Sequence, residues 1–227
     1  AMIDLYTWTT PNGRKISILL EELCVRYTVH PIDISNDEQF QPSFLKISPN
    51  NRIPAIVDHE TGIQLMETGA IMMYLAKKYS QFQCEGDEYW RMVEWLMWQM
   101  GGLGPMLGQV HHFSKYNKGK SDYSEIRYSK ESKRLYGVLN ERLEGRNFIA
   151  GDGNGIYSIA DIACWPWISR FEWQGMNLND FPNVRDWYMQ IYKRPAVQKG
   201  YSVPKFTTKV PIPQMVKVNI TPFDNSF

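Results

Sequence analysis

Ser48-Pro49-Asn50-Asn51-Arg52-Ile53-Pro54-Ala55-Ile56-Val57, followed by Met66-Glu67-Thr68-Gly69-Ala70-Ile71, is the stretch on which the reading of this chain turns. A polar loop delivers an Ile-Pro bond to a short apolar run. A second short apolar run ends in an acid and a hydroxyl where a helical pattern begins. Two readings attach to each half. Pro54 at a strand start is ordinarily a trans proline with no further role. Alternatively it is one of the roughly 5–6% of X-Pro bonds that are cis, and Ile53 then offers an unpaired N–H and C=O to the backbone of an extended peptide. Thr68 is an acceptable helix N-cap. The same turn also suits an amino-acid head group: free first-turn N–H groups attract a carboxylate, and Glu67 accepts an ammonium. Together the two halves suggest a site for a small peptide.

Around this stretch, residues 2–79 alternate strand and helix signals. Ile3-Leu5-Tyr6 opens a strand; Pro11 suits a first helical turn, and Ile16, Leu19, Leu20 and Leu23 recur at helical spacing. Residues 27–34 read as a second strand and 40–47 as a short helix or irregular turn. Ala55-Ile56-Val57 and Ile63-Gln64-Leu65-Met66, separated by Asp58-His59-Glu60-Thr61-Gly62, read as a hairpin. Thr68 opens a helix that buries Ile71, Met72, Leu75 and Ala76. The order βαβ then ββα implies a right-handed parallel crossover extended by antiparallel strands, hence a mixed four-stranded sheet. In thioredoxin-like folds this is where a cis proline stands.

Residues 80–86 lack periodicity and form the expected linker. From 87 to 200 only helical patterns remain, giving an α/β domain followed by an all-α domain. Trp90, Val93, Leu96, Met97 and Met100 form a stripe that Gly101-Gly102-Leu103-Gly104-Pro105 should break or kink. Residues 126–143 give a long helix. Residues 157–171 are apolar nearly all round and mark a buried central helix. Residues 180–194 give another helix, stopped by Pro195. The stretch 201–227 holds four prolines without period and reads as an extended tail.

Lys+Arg of 25 against Asp+Glu of 24 leaves a formal net charge of +1, which argues against nucleic acid or an anionic membrane as partner. No run approaches a membrane span, and no signal-peptide pattern is visible at the start. Three widely spaced cysteines, Cys24, Cys84 and Cys164, show neither zinc spacing nor a disulfide framework. The reading is a reducing, cytoplasmic compartment.

Thr9-Thr10-Pro11-Asn12-Gly13 reads as a helix cap, and also as a set of donors facing the same cleft as the Pro54 loop. Donors aimed at sulfur favour thiolate over thiol. Lowering a thiol of pKa about 8.5 by two units takes roughly 2.7 kcal/mol, within reach of a helix N-terminus and two hydrogen bonds. No cysteine lies in this loop, so the reactive sulfur has to arrive with the ligand. Ser158-Ile159-Ala160-Asp161 reads as a structural capping box with Asp in place of Glu. Adjacent His111 and His112 point to different helix faces and do not suit a metal. Trp90, Trp95, Trp98 and Phe113 read as core and interface. Serine-hydrolase, P-loop, dinucleotide and HExxH motifs are absent.

These residues resemble the glutathione transferase family over nearly the whole chain. Thr10-Pro11-Asn12-Gly13, Ile47-Ser48-Pro49-Asn50-Asn51-Arg52-Ile53-Pro54-Ala55, Gly101-Gly102-Leu103-Gly104-Pro105-Met106-Leu107-Gly108-Gln109 and Ser158-Ile159-Ala160-Asp161-Ile162-Ala163 are similar to the bacterial Nu-class branch, and more distantly to the fungal prion-forming nitrogen regulator. The resemblance implies a homodimer that binds two glutathiones or one glutathione disulfide, needs no metal, and acts mainly as a glutathione-dependent disulfide reductase. The alternatives it leaves open are a transferase that conjugates electrophiles or reduces hydroperoxides, and a non-catalytic glutathione-binding regulator. It further implies that Thr10 and Asn12 hold the reactive sulfur, Ile53 the cysteinyl backbone, and Glu67 and Thr68 the γ-glutamyl end. Arg52 would stand near the glycyl carboxylate, with Gln39 and Arg127 on the remaining polar groups. Thr68 departs from the branch's more usual Ser.

Overall fold

The computed structural model describes residues 2–214. Its N-terminal part is a four-stranded sheet of β1 (Ile3–Thr7), β2 (Tyr27–Pro31), β3 (Ala55–Asp58) and β4 (Gln64–Met66), in the order β2-β1-β3-β4. β1 and β2 are parallel, with Leu5 opposite Val29. β3 lies antiparallel to β1, with Ile56 opposite Leu5, and β4 antiparallel to β3. Strand alternation sends Ile3, Leu5 and Thr7 to a buried face. On the other face Tyr6 stacks on His30 and meets Phe44 of α2 (Pro42–Leu45). The mixed sheet agrees with the expectation. β2 is shorter than the 27–34 run, because Asp33 accepts the Ser35 N–H and turns the chain into a 3-10 turn, Ile34–Asn36.

Thr10 caps α1 (Pro11–Glu22), accepting the Gly13 N–H at 3.0 Å, with Pro11 in the first turn. The sequence gives α1 one apolar stripe, but Gly13 to Leu20 are all buried. The reason is that α1 is covered by α3 (Thr68–Tyr79), α7 (Ile159–Ile168) and α9 (Pro195–Tyr201) as well as by the sheet. α9 is closest: a Cβ at Gly200 would stand 2.6 Å from the Ile18 Cα, and Ser17 Oγ donates to the Gly200 carbonyl at 2.7 Å. That helix escapes a reading in which Pro195 stops the chain. Proline in a first turn starts a helix instead.

The helical part holds α4 (Asp87–Trp98), α5 (Gly104–Val110), α6 (Asp122–Arg142), α7 and α8 (Pro182–Tyr192). The Gly-Gly-Leu-Gly-Pro run does not break the chain. Gln99–Leu103 and His111–Tyr116 form π-helical turns on either side of α5. The wide first turn accommodates Pro105, whose missing N–H conflicts with a regular ladder. The inward stripe of α4 also differs: Met92 and Leu96 are buried, continuing to Gln99, whereas Trp90 is 68% and Met97 47% exposed. All ten residues of α7 are buried, as its apolar composition implies. Among the described residues no helix is long and apolar enough to cross a membrane. Residues 202–214 run over the surface: Thr207 accepts from Arg14, Pro211 from the Tyr188 hydroxyl, and Gln214 from Asn179. The rest of the expected tail lies outside the described residues.

Candidate functional site

Between the sheet domain and the helices lies a cleft of about 610 Å³. It gathers Asn12 from α1, Arg52 and Ile53 from the loop before β3, and Glu67 and Thr68 from the start of α3. Lys15, Gln99, Met100, Gly104, Gln109, His112 and Trp167 complete the lining.

The Ile53-Pro54 bond is cis. Ser48, buried, donates its hydroxyl to the Arg52 carbonyl at 2.8 Å and holds the loop in place. β3 begins only at Ala55, so the Ile53 N–H and C=O take no part in the ladder. Glu67 has φ 72° and is itself the cap residue of α3, with no side-chain hydrogen bond to the helix. This corrects the reading of Thr68 as N-cap: Thr68 is the first helical residue, and its hydroxyl points to Met100 Sδ (3.3 Å). The left-handed turn at Glu67 leaves the first-turn N–H groups of α3 without a side-chain partner, a ready acceptor for a carboxylate.

Asn12 is oriented by a residue far away in sequence. Trp167 Nε1 donates to Asn12 Oδ1 at 3.1 Å. With Oδ1 engaged, the amide NH2 of Asn12 is the half left to donate. The indole reaches this position past a bare Gly104, where a Cβ would stand 3.1 Å from Trp167 Nε1 and 2.4 Å from Gln99 Nε2. Thr10 does not line this cleft. Its hydroxyl accepts the capping bond, and its residue borders a neighbouring cavity. Gln39 stands on a 3-10 turn (Glu38–Phe40) away from the lining, and its Oε1 is a buried oxygen without a partner among the described residues. Arg127 sits on α6 beside Met106, Tyr123 and Arg134, so a single chain does not bring it to the cleft.

Lys15 escaped the sequence reading. It is 1% exposed, and its Nζ donates to Gln99 Oε1 at 2.7 Å and to Thr68 Oγ1 at 3.2 Å. The available signal was a lysine three residues after Asn12, on the same helix face, at the head of an apolar run. Burial pushes its ammonium down to about 7, with nearby Cys164 and Glu67 acting in the opposite sense. The unfolded chain therefore holds a proton here, between about pH 7 and the ordinary lysine value, that the folded chain lacks. Stability attributable to this group rises with pH across that window. Lys15→Met is expected to flatten the rise in melting temperature between pH 7 and 9. An unchanged slope would contradict the assignment.

The cleft supplies no thiol of its own. Cys24 is exposed elsewhere, and Cys84 and Cys164 are buried. Burial pushes the Cys84 thiol up to about 11 and Cys164 higher still. Among the described residues no group of His, Cys, Asp or Glu is arranged to hold a metal ion.

Comparison with known proteins fits this architecture. Residues 1–77 match the glutathione S-transferase N-terminal domain and residues 105–195 the C-terminal domain. The chain is 47% identical over 201 residues to the disulfide-bond oxidoreductase YfcG of Escherichia coli, covering 86% of this chain and 92% of that protein. Its fold is similar to a glutathione transferase of Burkholderia graminis with two glutathione molecules bound per subunit (TM-score 0.83, 41% identity, 90% of this chain and 89% of that one). It is likewise similar to one from Pseudomonas putida with one glutathione disulfide bound per subunit (TM-score 0.81, 40% identity, 89% and 91%). With both of its domains matched, the chain belongs to the glutathione S-transferase family.

Proposed function

We propose that this chain is a glutathione-dependent disulfide-bond oxidoreductase whose cleft takes two glutathiones or one glutathione disulfide. The observation that carries the reading is a peptide-sized cleft with placed donors and no reactive thiol: both sulfurs of the exchange have to come from substrate. Ile53 pairs its free backbone groups with the cysteinyl residue. Glu67 takes the γ-glutamyl ammonium, and Thr68 with the first-turn N–H groups takes its carboxylate. Arg52 faces the glycyl carboxylate. Asn12 offers its amide N–H to the attacking sulfur, while Thr10, which caps α1 from outside this lining, keeps a hydroxyl hydrogen that would have to turn into the cleft to reach a sulfur. Gln39 and Arg127 lie off the lining in the single chain, and would contact the remaining polar groups of the two glutathiones only once a bound ligand or the dimer brings them to the cleft. Thiol–disulfide exchange needs a thiolate and an aligned disulfide; the lining supplies stabilisation at the first and position for the second.

The similarity to the disulfide-bond oxidoreductase of Escherichia coli supports this choice over conjugation, and the two glutathione transferases of Burkholderia and Pseudomonas support the occupancy by two glutathiones or one disulfide. We also infer a homodimer in a reducing cytoplasm, built from a 2–79 domain, an 80–86 linker, an 87–200 domain and a tail. The exposed apolar side chains Trp90, Met97, Tyr123 and Ile126 support the dimer, and Arg127 stands beside the last two. The test is glutathione-driven reduction of a small dialkyl disulfide, measured beside conjugation of an aryl halide and reduction of an organic hydroperoxide. Disulfide turnover is expected to exceed both at least tenfold. Dominant conjugation, or tight glutathione binding with no turnover, would replace the reading.

A further inference from the structure

Beneath the start of α3 the cleft wall holds a buried amine with no counter-ion at contact distance. Lys15 Nζ sits where α1, α3 and the Gln99–Leu103 turn meet, and donates to Gln99 Oε1 at 2.7 Å and to Thr68 Oγ1 at 3.2 Å. Its third neighbour is Met100 Sδ at 3.8 Å, a weak acceptor. All three are uncharged, and Lys15 forms no ion pair among the described residues. Gln99 is itself fixed: it is 1% exposed, and its amide nitrogen fills the space beside Gly104, where a Cβ would stand only 2.4 Å away. A lysine closed into a protein ordinarily brings a carboxylate with it. The titratable groups that face Lys15 do not supply that partner. Glu67, at the cap of α3, acts on it from beyond ion-pair distance, and Cys164 of α7 is a thiol that burial keeps neutral. Arg52 and His112 are the other titratable groups of the lining, and neither brings negative charge.

Thr68 connects this amine to the place where a ligand carboxylate arrives. Its hydroxyl accepts from Lys15 and gives its hydrogen to Met100 Sδ, 3.3 Å away. A carboxylate at the first-turn N–H groups of α3 is a far better acceptor than a thioether and takes that hydrogen instead. The result is a chain from ammonium through hydroxyl to carboxylate. We propose that Lys15 is a specificity-determining residue, a buried cation matched to the γ-glutamyl α-carboxylate and joined to it through the Thr68 hydroxyl. The inference rests on glutathione occupying this cleft, and adds that the cation is conditional on the ligand. Burial holds the ammonium down to about 7. A carboxylate one hydroxyl away favours the charged form, so binding draws a proton from solvent on to Lys15. By linkage, affinity for a ligand with that carboxylate falls as pH rises from about 7 toward the ordinary lysine value. A ligand without it gains nothing from Lys15 and places no proton there.

The experiment measures binding by titration calorimetry at about pH 8 in phosphate and in Tris, whose different ionisation heats count the protons taken up. Three non-reactive ligands are compared: S-methylglutathione; its 4-aminobutyryl analogue, which lacks only the γ-glutamyl α-carboxylate; and its glutaryl analogue, which lacks only the α-amine. The unsubstituted protein is expected to take up roughly one proton per chain with the two carboxylate-bearing ligands and almost none with the 4-aminobutyryl analogue. It should bind that analogue about a hundredfold more weakly than S-methylglutathione. Lys15→Met should abolish the uptake, weaken S-methylglutathione about tenfold and leave the 4-aminobutyryl analogue within twofold, the scale of one charge-assisted hydrogen bond. The comparison of ligands needs only the unsubstituted protein, so it decides the assignment even where Lys15→Met does not fold. Carboxylate-dependent uptake with no disulfide reduced keeps the assignment and removes only the oxidoreductase reading. Equal uptake for all three ligands, no uptake for the glutaryl analogue, or unchanged uptake in Lys15→Met overturns the assignment, and disulfide turnover beside any of these leaves the oxidoreductase reading standing. Lys15 would then only tie α1 to the Gln99–Leu103 turn. Failure of all three ligands to bind overturns both.

Discussion

Asn12→Asp is expected to lower kcat/KM for glutathione-driven disulfide reduction about a hundredfold while leaving the melting temperature within about 1 °C of wild type. The separation of the two effects follows from the Trp167 bond. The indole N–H needs an oxygen at 3.1 Å, and an aspartate still provides one. What disappears is the amide NH2 that the bond leaves free for the cleft. In its place stands a second carboxylate oxygen, and a negative charge near the sulfur disfavours thiolate. The rising limb of the pH–rate profile should therefore move to higher pH. Asn12→Ala removes both halves: it loses the donor without adding charge, and it strips a nearly buried indole of its acceptor. A smaller rate loss with a measurable stability loss is expected there. If Asn12→Asp reduces disulfides at a rate within threefold of wild type, the sulfur is not held at Asn12 and the proposed geometry is wrong.

The Asn12–Trp167 bond also shows where sequence reading stops. Local features were legible. The βαβ–ββα order, the Pro54 loop, the acid before α3 and the Thr10 cap each rest on residues a few positions apart. What was not legible depends on pairs of residues brought together by tertiary packing. Trp167 reaches Asn12 across 155 positions and needs Gly104 to be bare. Lys15 looks like a solvated lysine on an amphipathic helix until α3, α7 and the Gln99–Leu103 turn close over it. The glycine run looked like a breaker because its neighbours were unknown: against Trp167, missing side chains are a packing surface. Pro195 was read as a stop for the same reason, since only Gly200 lying on Ile18 shows what the short α9 is for. Arg127 is the opposite case. The resemblance implies a role for it, yet its own chain carries it to a different face.

Asp161→Ala is expected to destabilise the fold by about 4 kcal/mol, several times the effect of Ser158→Ala, its partner in the capping box. Cap removal at Ser158 costs about 1 kcal/mol, because one helix N–H loses its acceptor. Asp161 carries more. It is 0% exposed, and its two oxygens accept from the Ser158 N–H (3.0 Å), the Ile149 N–H (3.0 Å) and the Trp187 indole N–H (2.9 Å). Those donors belong to the start of α7, the segment before it and α8, so one carboxylate joins three pieces of the helical domain. Alanine leaves three buried donors unpaired, each costing about 1–3 kcal/mol before relaxation, and in a chain of this size about 4 kcal/mol corresponds to a fall in melting temperature of roughly 10 °C. Asp161→Asn retains one accepting oxygen but sets its NH2 against a facing N–H, so about half the loss is expected. The order Ala, then Asn, then Ser158→Ala is what distinguishes a three-way junction from a helix cap. Equal losses for Asp161→Ala and Ser158→Ala would mean that Ile149 and Trp187 find other acceptors, and that the residue is the cap its motif announces and nothing more.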